Sequence, residues 1–256
     1  MMTLTILGSG SASPTISAFQ SSQVLELAGE TFLIDCGEGC QMRLVQYGFD
    51  LNQIDGIFIS HAHLDHYIGL PGLFHRSWLQ DRRRPLDLFA PRAVFDKLAP
   101  IFEDIYPGFK LMMKEIEPNK PYILKRSDTN SDITVSTIPL RHDGETSGFL
   151  FEENGVKRYA YCSDTAYDET ILPQIEGVEA LYHEATYTER IGQYAATNGH
   201  STARQAATIA KLANAGQLVI GHYSIRNQDY KAFEKEARQI FEKTVAGYDG
   251  LQVKIN

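Results

Sequence analysis

Apolar and polar positions along this chain alternate between two rhythms, and the same succession occurs twice. Residues 4–7, 23–27 and 31–35 are short apolar or alternating runs punctuated by Gly and Ser, which predicts early strands. Residues 41–47 carry a helical spacing, 57–60 form an apolar strand, and from 64 to 78 the apolar positions return to a broadly helical period. A strand at 86–90 and a helix at 93–105 complete the first half. The second half has strands at 133–138, 146–152 and 157–162, the last two joined by Glu153-Asn154-Gly155, a turn that favours tight antiparallel pairing. Short apolar strands at 180–183 and 217–221 and helices at 201–213 and 229–244 follow. Strands alternating with helices predict an α/β chain, and with no long linker or low-complexity tract a single domain over 1–256 is expected.

Composition narrows the function classes. With 43% hydrophobic and 22% charged residues the chain has ample material for one large core. A net charge of -8 argues against binding nucleic acid through bulk electrostatics, although it leaves room for a local patch. The concentrated basic run is Asp81-Arg82-Arg83-Arg84-Pro85, which suits either a solvated helix end or a phosphate contact. Cys36, Cys40 and Cys162 form an odd set without CxxC spacing and read as reduced bystanders. The start of the chain lacks a signal-peptide pattern and no apolar run is long enough for a bilayer, so a soluble, cytoplasmic protein with no membrane partner is expected.

Against that background stands His61-Ala62-His63-Leu64-Asp65-His66, placed directly behind the apolar strand. If the chain stays extended past residue 60, His61 and His63 project to one side, while Asp65 and His66 fall in the turn opening a helix, where free N–H groups favour a carboxylate. An imidazole pair on one side with a carboxylate and a third imidazole beside it suits two neighbouring metal ions better than one, and imidazole nitrogen and carboxylate oxygen are ordinary zinc ligands. A merely solvated turn is the plain alternative. Other polar residues follow the same placement: His142, Asp164, His183 and His222 each end or follow a predicted strand, the edge where layered α/β folds assemble sites. His75 reads as a helix-surface residue. Gly8-Ser9-Gly10-Ser11-Ala12-Ser13-Pro14 fits neither phosphate-loop spacing and reads as a tight turn beneath the site.

The His61–His66 run, with Asp35-Cys36-Gly37-Glu38-Gly39 before it and His142, Asp164 and His222 after it, resembles the metallo-β-lactamase superfamily over nearly the whole chain. His183-Glu184-Ala185-Thr186, Gly199-His200-Ser201-Thr202-Ala203 and Gly221-His222-Tyr223-Ser224-Ile225-Arg226, in that order, resemble ribonuclease Z, and Gly69-Leu70-Pro71-Gly72-Leu73 strengthens the match. The resemblance implies the metallo-β-lactamase fold, a four-layer αββα sandwich with two mixed β-sheets, and a zinc phosphodiesterase that trims precursor tRNA at its 3′ end. It implies two Zn2+ per chain, with Mn2+ or Fe2+ as substitutes: one held by His61, His63 and His142, the other by Asp65, His66 and His222, with Asp164 bridging. It assigns the proton donor for the leaving oxygen to His200 with Glu184 as its orienting partner, water activation to Asp65, and phosphate contacts to Ser224 and Arg226. A homodimer is implied as well. His183 is expected either to bond a ligand or fix a loop from the second shell, or to pack under the site, the former being favoured.

The chain departs from the family where tRNA would be held. The interval between His142 and Asp164 holds only a hairpin, leaving no room for the family's long flexible arm, and Pro14 to Ser22 has no cationic residue. Precursor tRNA, or a small or cyclic phosphodiester or short RNA, is the expected substrate. His63 argues against a redox diiron member, which carries Glu there, and Asp164 against a common β-lactamase, which carries Cys there. Thioester or lactone hydrolysis stays open.

Overall fold

The computed structural model describes residues 1–102, 108–124, 131–227 and 229–255. The strands are, in chain order, β1 (Met2–Gly8), β2 (Ser22–Leu27), β3 (Glu30–Cys36), β4 (Gly56–Phe58), β5 (Leu86–Ala90), β6 (Leu111–Glu115) and β7 (Pro121–Leu124). They continue with β8 (Ile133–Pro139), β9 (Ser147–Glu153), β10 (Val156–Cys162), β11 (Ala180–Glu184), β12 (Gln217–Gly221), β13 (Thr244–Ala246) and β14 (Gln252–Ile255). The helices are α1 (Cys40–Gln46), α2 (Leu64–Tyr67), α3 (Leu70–Leu79), α4 (Arg92–Phe102), α5 (Leu172–Ile175), α6 (Gln193–Thr197), α7 (Ala203–Leu212) and α8 (Tyr230–Arg238).

Two compact units result: Met1–Ile116 with Asp249–Lys254, and Glu117–Tyr248 with Ile255. The first unit's sheet has the order β14-β1-β2-β3-β4-β5-β6, the second's β13-β12-β11-β10-β9-β8-β7. Both sheets are mixed in the same manner. In the first, β1, β2 and β3 pair antiparallel and β3 to β6 parallel. In the second, β7 to β10 pair antiparallel and β10 to β13 parallel. Parallel strands need crossovers, and the helices between them cover the sheet. Leu33, Ile57 and Leu88 pack with Leu44 of α1, Leu70, Leu73 and Phe74 of α3 and Val94 and Leu98 of α4. In the second unit Leu181, Leu218 and Ile220 pack with Ala203, Ala206, Ala207 and Ala210 of α7 and with Phe233 and Ala237 of α8. Four alanines on one helix stripe let α7 lie close on the sheet, and a capping box between Thr202 and Gln205 starts it, worth about 1 kcal/mol.

The predicted strands recur with ends shifted by a residue or two, and Asn154 and Gly155 take the positive φ of 51° and 79° that the β9–β10 hairpin requires. Three expectations are corrected. The helical run 64–78 is two helices, because Gly69 and Pro71 interrupt it; a Cβ on Gly69 would lie 2.1 Å from the Gly37 carbonyl oxygen. The helix expected over 229–244 stops at Arg238, and Thr244–Ala246 instead pairs as β13 with the edge of β12, satisfying backbone groups that a longer helix would leave open. The helix expected over 93–105 spans Arg92–Phe102, and 103–105 lie outside the described residues. β6 and β7 were not expected from the sequence, and their Met112, Met113 and Ile123 are exposed. Among the described residues no helix is long and apolar enough to cross a membrane, and all three cysteines are free and buried.

Candidate functional site

Each unit concentrates its buried polar residues at the carboxyl ends of its parallel strands, the edge where open α/β sheets bind ligands. In the first unit β3 ends at Asp35-Cys36, and Asp35 adopts φ 55°, an uncommon conformation for a residue with a Cβ. That twist aims its fully buried carboxylate at the segment after β4. Asp35 Oδ1 accepts the Ser60 backbone N–H at 2.8 Å, and Oδ2 accepts the Ser60 hydroxyl at 3.0 Å and meets His66 Nδ1 at 2.8 Å. The Ser60 hydroxyl also meets His61 Nδ1 at 2.9 Å. Since a carboxylate only accepts, the single hydroxyl proton goes to Asp35, and the serine oxygen accepts from His61 Nδ1–H. Both imidazoles are thereby held with the proton on Nδ1 and the lone pair on Nε2.

His63 caps α2 with extended backbone, and Asp65 lies in the first turn of the helix. Asp65 Oδ2 accepts the Ala12 N–H at 2.7 Å and stands 3.6 Å from His66 Nε2. The His61 ring lies 4.7 Å from that of His63 and 4.2 Å from that of His66. The first unit therefore gathers His61, His63, Asp65 and His66. The loop that supplies Ala12 is tied down by Asp249, which accepts from Ser9 N, Ser9 Oγ, Phe19 N and Arg43 Nη2. The Gly8–Pro14 run is thus a turn held by a carboxylate.

In the second unit His142 follows β8, Asp164 follows β10, Glu184 ends β11 and His222 follows β12 with φ 62°. His142 Nδ1 bonds the Gly199 carbonyl at 2.8 Å, and a Cβ on Gly199, whose φ is 69°, would come within 2.7 Å of that nitrogen; glycine is required there. Asp164 turns one oxygen toward each of two imidazoles, Oδ2 3.6 Å from His142 Nε2 and Oδ1 3.2 Å from His222 Nε2. Glu184, fully buried, accepts four donors: Thr165 N–H at 3.0 Å and His200 Nδ1 at 2.8 Å on Oε1, Thr186 N–H at 2.9 Å and Thr186 Oγ at 2.8 Å on Oε2. Burial alone would push this carboxyl up, but the charge and hydrogen bond of His200, and then the charge of His222, outweigh it and hold Glu184 below the ordinary carboxylate range. Asp164, His200 and His222 offer ligand atoms within 4.8 Å of one another, a group able to hold a metal ion.

His183, one residue before Glu184, sits on the opposite face of β11. It shares that face with Leu181, and its strand neighbours Cys162 and Ile220 belong to the same apolar cluster. Its Nδ1 bonds the Glu184 carbonyl at 2.7 Å, and burial pushes its pKa down. Ser224 Oγ accepts the Arg226 N–H at 3.3 Å, and the Arg226 side chain is exposed. The basic run splits: Arg82 is buried and donates to the carbonyls of Leu51, Asn52, Ile54, Arg84 and Pro85, Arg84 pairs with Asp55 at 2.6 Å, and Arg83 pairs on the surface with Asp81. Its first and third arginines are structural. The sequence alone gave no role to Ser60, Thr165 or Thr186; the available signal was a hydroxyl residue within two positions of a candidate His, Asp or Glu at a strand end.

The donor set fits a metal. Four imidazoles have Nδ1 engaged by Ser60, Asp35, Gly199 and Thr186, the arrangement by which metal-binding histidines are oriented. A profile of the family described as Anti-Pycsar protein Apyc1 matches residues 2–245. The ribonuclease Z of Parabacteroides distasonis is 33% identical over 98% of both chains. The short form of human tRNase Z superposes with a TM-score of 0.80 at 29% identity over 99% of each chain. The metallo-β-lactamase fold protein YhfI of Bacillus subtilis does so with a TM-score of 0.83 at 20% identity over 98% of each. The chain therefore belongs to the family described as Anti-Pycsar protein Apyc1 and to the ribonuclease Z family of metal-dependent hydrolases with the metallo-β-lactamase fold.

Proposed function

We propose that this protein is a zinc-dependent phosphodiesterase, an endoribonuclease of the ribonuclease Z type that removes the 3′ trailer of precursor tRNA, acting as a homodimer in the cytoplasm. The observation that carries it is the Glu184–His200 pair, 2.8 Å apart, with His200 grouped with Asp164 and His222. One zinc ion is assigned to His61, His63 and His142 and a second to Asp65, His66 and His222, with Asp164 shared; Mn2+ or Fe2+ are substitutes. The two oxygens of Asp164 each face a different imidazole, which suits a residue that would hold both ions. Bound there, the ions supply Lewis acidity to the phosphate and bring the pKa of water toward about 7.

The chain's own groups then move the protons. Asp65, steadied by the Ala12 N–H at 2.7 Å, takes a proton from the water whose oxygen attacks phosphorus. The bond from phosphorus to the leaving oxygen breaks, and protonated His200, its Nδ1–H held by Glu184, gives its Nε2 proton to that oxygen. Such a positioned acid contributes about 100- to 10,000-fold. Ser224 and Arg226 are assigned to the phosphate oxygens.

A small or cyclic phosphodiester, or short RNA, is the alternative substrate. It is favoured by an alignment to the Parabacteroides distasonis ribonuclease Z that runs over 302 positions, more than the 256 residues of this chain, so that relative carries segments absent here. Between His142 and Asp164 this chain has only the β9–β10 hairpin. Zinc-loaded protein carrying about two ions per chain, assayed side by side on precursor tRNA, a chromogenic bis-aryl phosphodiester and a 3′,5′-cyclic nucleotide, is expected to cut the precursor tRNA at the trailer junction. Turnover of the small diesters alone would replace the tRNA assignment with the alternative.

A further inference from the structure

We propose that the Thr186 hydroxyl is a positioning group that fastens His222 and His200 to a single carboxylate, Glu184, so that one side chain governs both metal retention and proton donation. The inference rests on the assignment of His222 to a metal and of His200 to the leaving oxygen. Thr186 Oγ lies 2.8 Å from Glu184 Oε2 and 3.0 Å from His222 Nδ1. It has one proton, and the carboxylate, which can only accept, takes it; the threonine oxygen therefore accepts from His222 Nδ1–H. That bond places the His222 lone pair on Nε2, the atom 3.2 Å from Asp164 Oδ1. The other oxygen of Glu184 holds His200 Nδ1 at 2.8 Å, so the chain of bonds runs from His222 through Thr186 and Glu184 to His200.

Three features make the hydroxyl hard to replace. Thr186 is 2% exposed, which gives solvent little access to take its place. Its backbone is tied on both sides, the N–H to Glu184 Oε2 at 2.9 Å and the carbonyl to the N–H of Ser224, two residues beyond His222, at 3.2 Å. His222 itself holds φ 62°, a conformation a residue with a Cβ keeps only when its surroundings enforce it. Removing the hydroxyl leaves a buried Nδ1–H without its acceptor and Glu184 with one donor fewer, loosening both imidazoles together.

The test compares Thr186→Val, of the same shape without the hydroxyl, with Thr186→Ser, which keeps it. Zinc affinity is measured by chelator competition, and at saturating zinc the turnover of a series of aryl phosphodiesters is read against leaving-group pKa. Thr186→Val is expected to bind zinc about 10- to 100-fold more weakly and to slow poor leaving groups more than p-nitrophenol; Thr186→Ser is expected to restore both. If Thr186→Val does not reach the native circular dichroism spectrum, Thr186→Ala takes its place. Wild-type zinc affinity, or a wild-type leaving-group dependence, in the folded variant overturns the proposal, as does failure of serine to rescue. His222→Ala and His200→Gln report on the underlying assignment: zinc binding undiminished in the first, or an unchanged leaving-group dependence in the second, overturns that assignment rather than the role of Thr186 within it.

Discussion

The two units solve one problem with the same chemical parts. In the first, Asp35 takes His66 Nδ1 directly and reaches His61 Nδ1 through the Ser60 hydroxyl. In the second, Glu184 takes His200 Nδ1 directly and reaches His222 Nδ1 through the Thr186 hydroxyl. Each network is one buried carboxylate, one hydroxyl and two imidazoles held by Nδ1, which leaves their Nε2 atoms for other work. The difference is access. The His66 side chain is 0% exposed, whereas His200 is 15% exposed. A sealed imidazole is suited to remain a ligand, while a partly open one can meet substrate and exchange its proton. Under the proposed assignment the same hydrogen-bond motif serves metal retention alone in the first unit, and both retention, through His222, and proton donation, through His200, in the second.

Removing the open imidazole is the severest challenge to this contrast. His200→Ala is expected to slow turnover of alkyl-leaving substrates by about 100- to 10,000-fold while zinc content, measured by elemental analysis, stays as in the wild type; zinc loss would place His200 among the ligands and erase the difference between the units. Asp35→Asn attacks the sealed network. An amide there sets a donor against the Ser60 and His66 donors, and zinc affinity by chelator competition is expected to fall about 10- to 100-fold, with the ratio of good to poor leaving-group rates unchanged at saturating zinc. A shift in that ratio would mean that the first unit also shapes proton donation. The smallest effect is expected for Ser60→Ala, which leaves the direct Asp35–His66 bond in place: a fall in zinc affinity of less than about tenfold, again with no leaving-group dependence. Should Ser60→Ala behave as Thr186→Val is expected to, the division of labour fails.

Legibility differed by residue. His61, His63, Asp65 and His66 announced themselves because six neighbouring positions carried four potential ligands behind an apolar strand, and such clustering survives without knowledge of any fold. His142, Asp164, His183 and His222 could be placed at strand ends from local pattern, whereas Glu184 came only from the family resemblance. Thr186 and Ser60 could not be singled out, since a hydroxyl near a strand end is commonplace until its distance to a carboxylate is known. Arg82 shows the reverse: conspicuous within a basic run, it spends its guanidinium on five backbone carbonyls. β13 went unread because its edge position on β12 comes from pairing 26 residues distant, Leu218 with Thr244, and not from its own short sequence.

By itself the sequence determined the α/β alternation, the set of candidate ligands and its placement at strand ends, because periodicity, turn chemistry and the clustering of residue types are local properties of the chain. Only the tertiary structure decided which nitrogen of each imidazole is held, which hydroxyls join the carboxylates, and how exposed His200 is. Those depend on contacts of 2.8 to 3.0 Å, such as His66 with Asp35, His200 with Glu184 and His222 with Thr186, between residues separated in sequence, and such contacts exist only once the strands are paired and the helices packed.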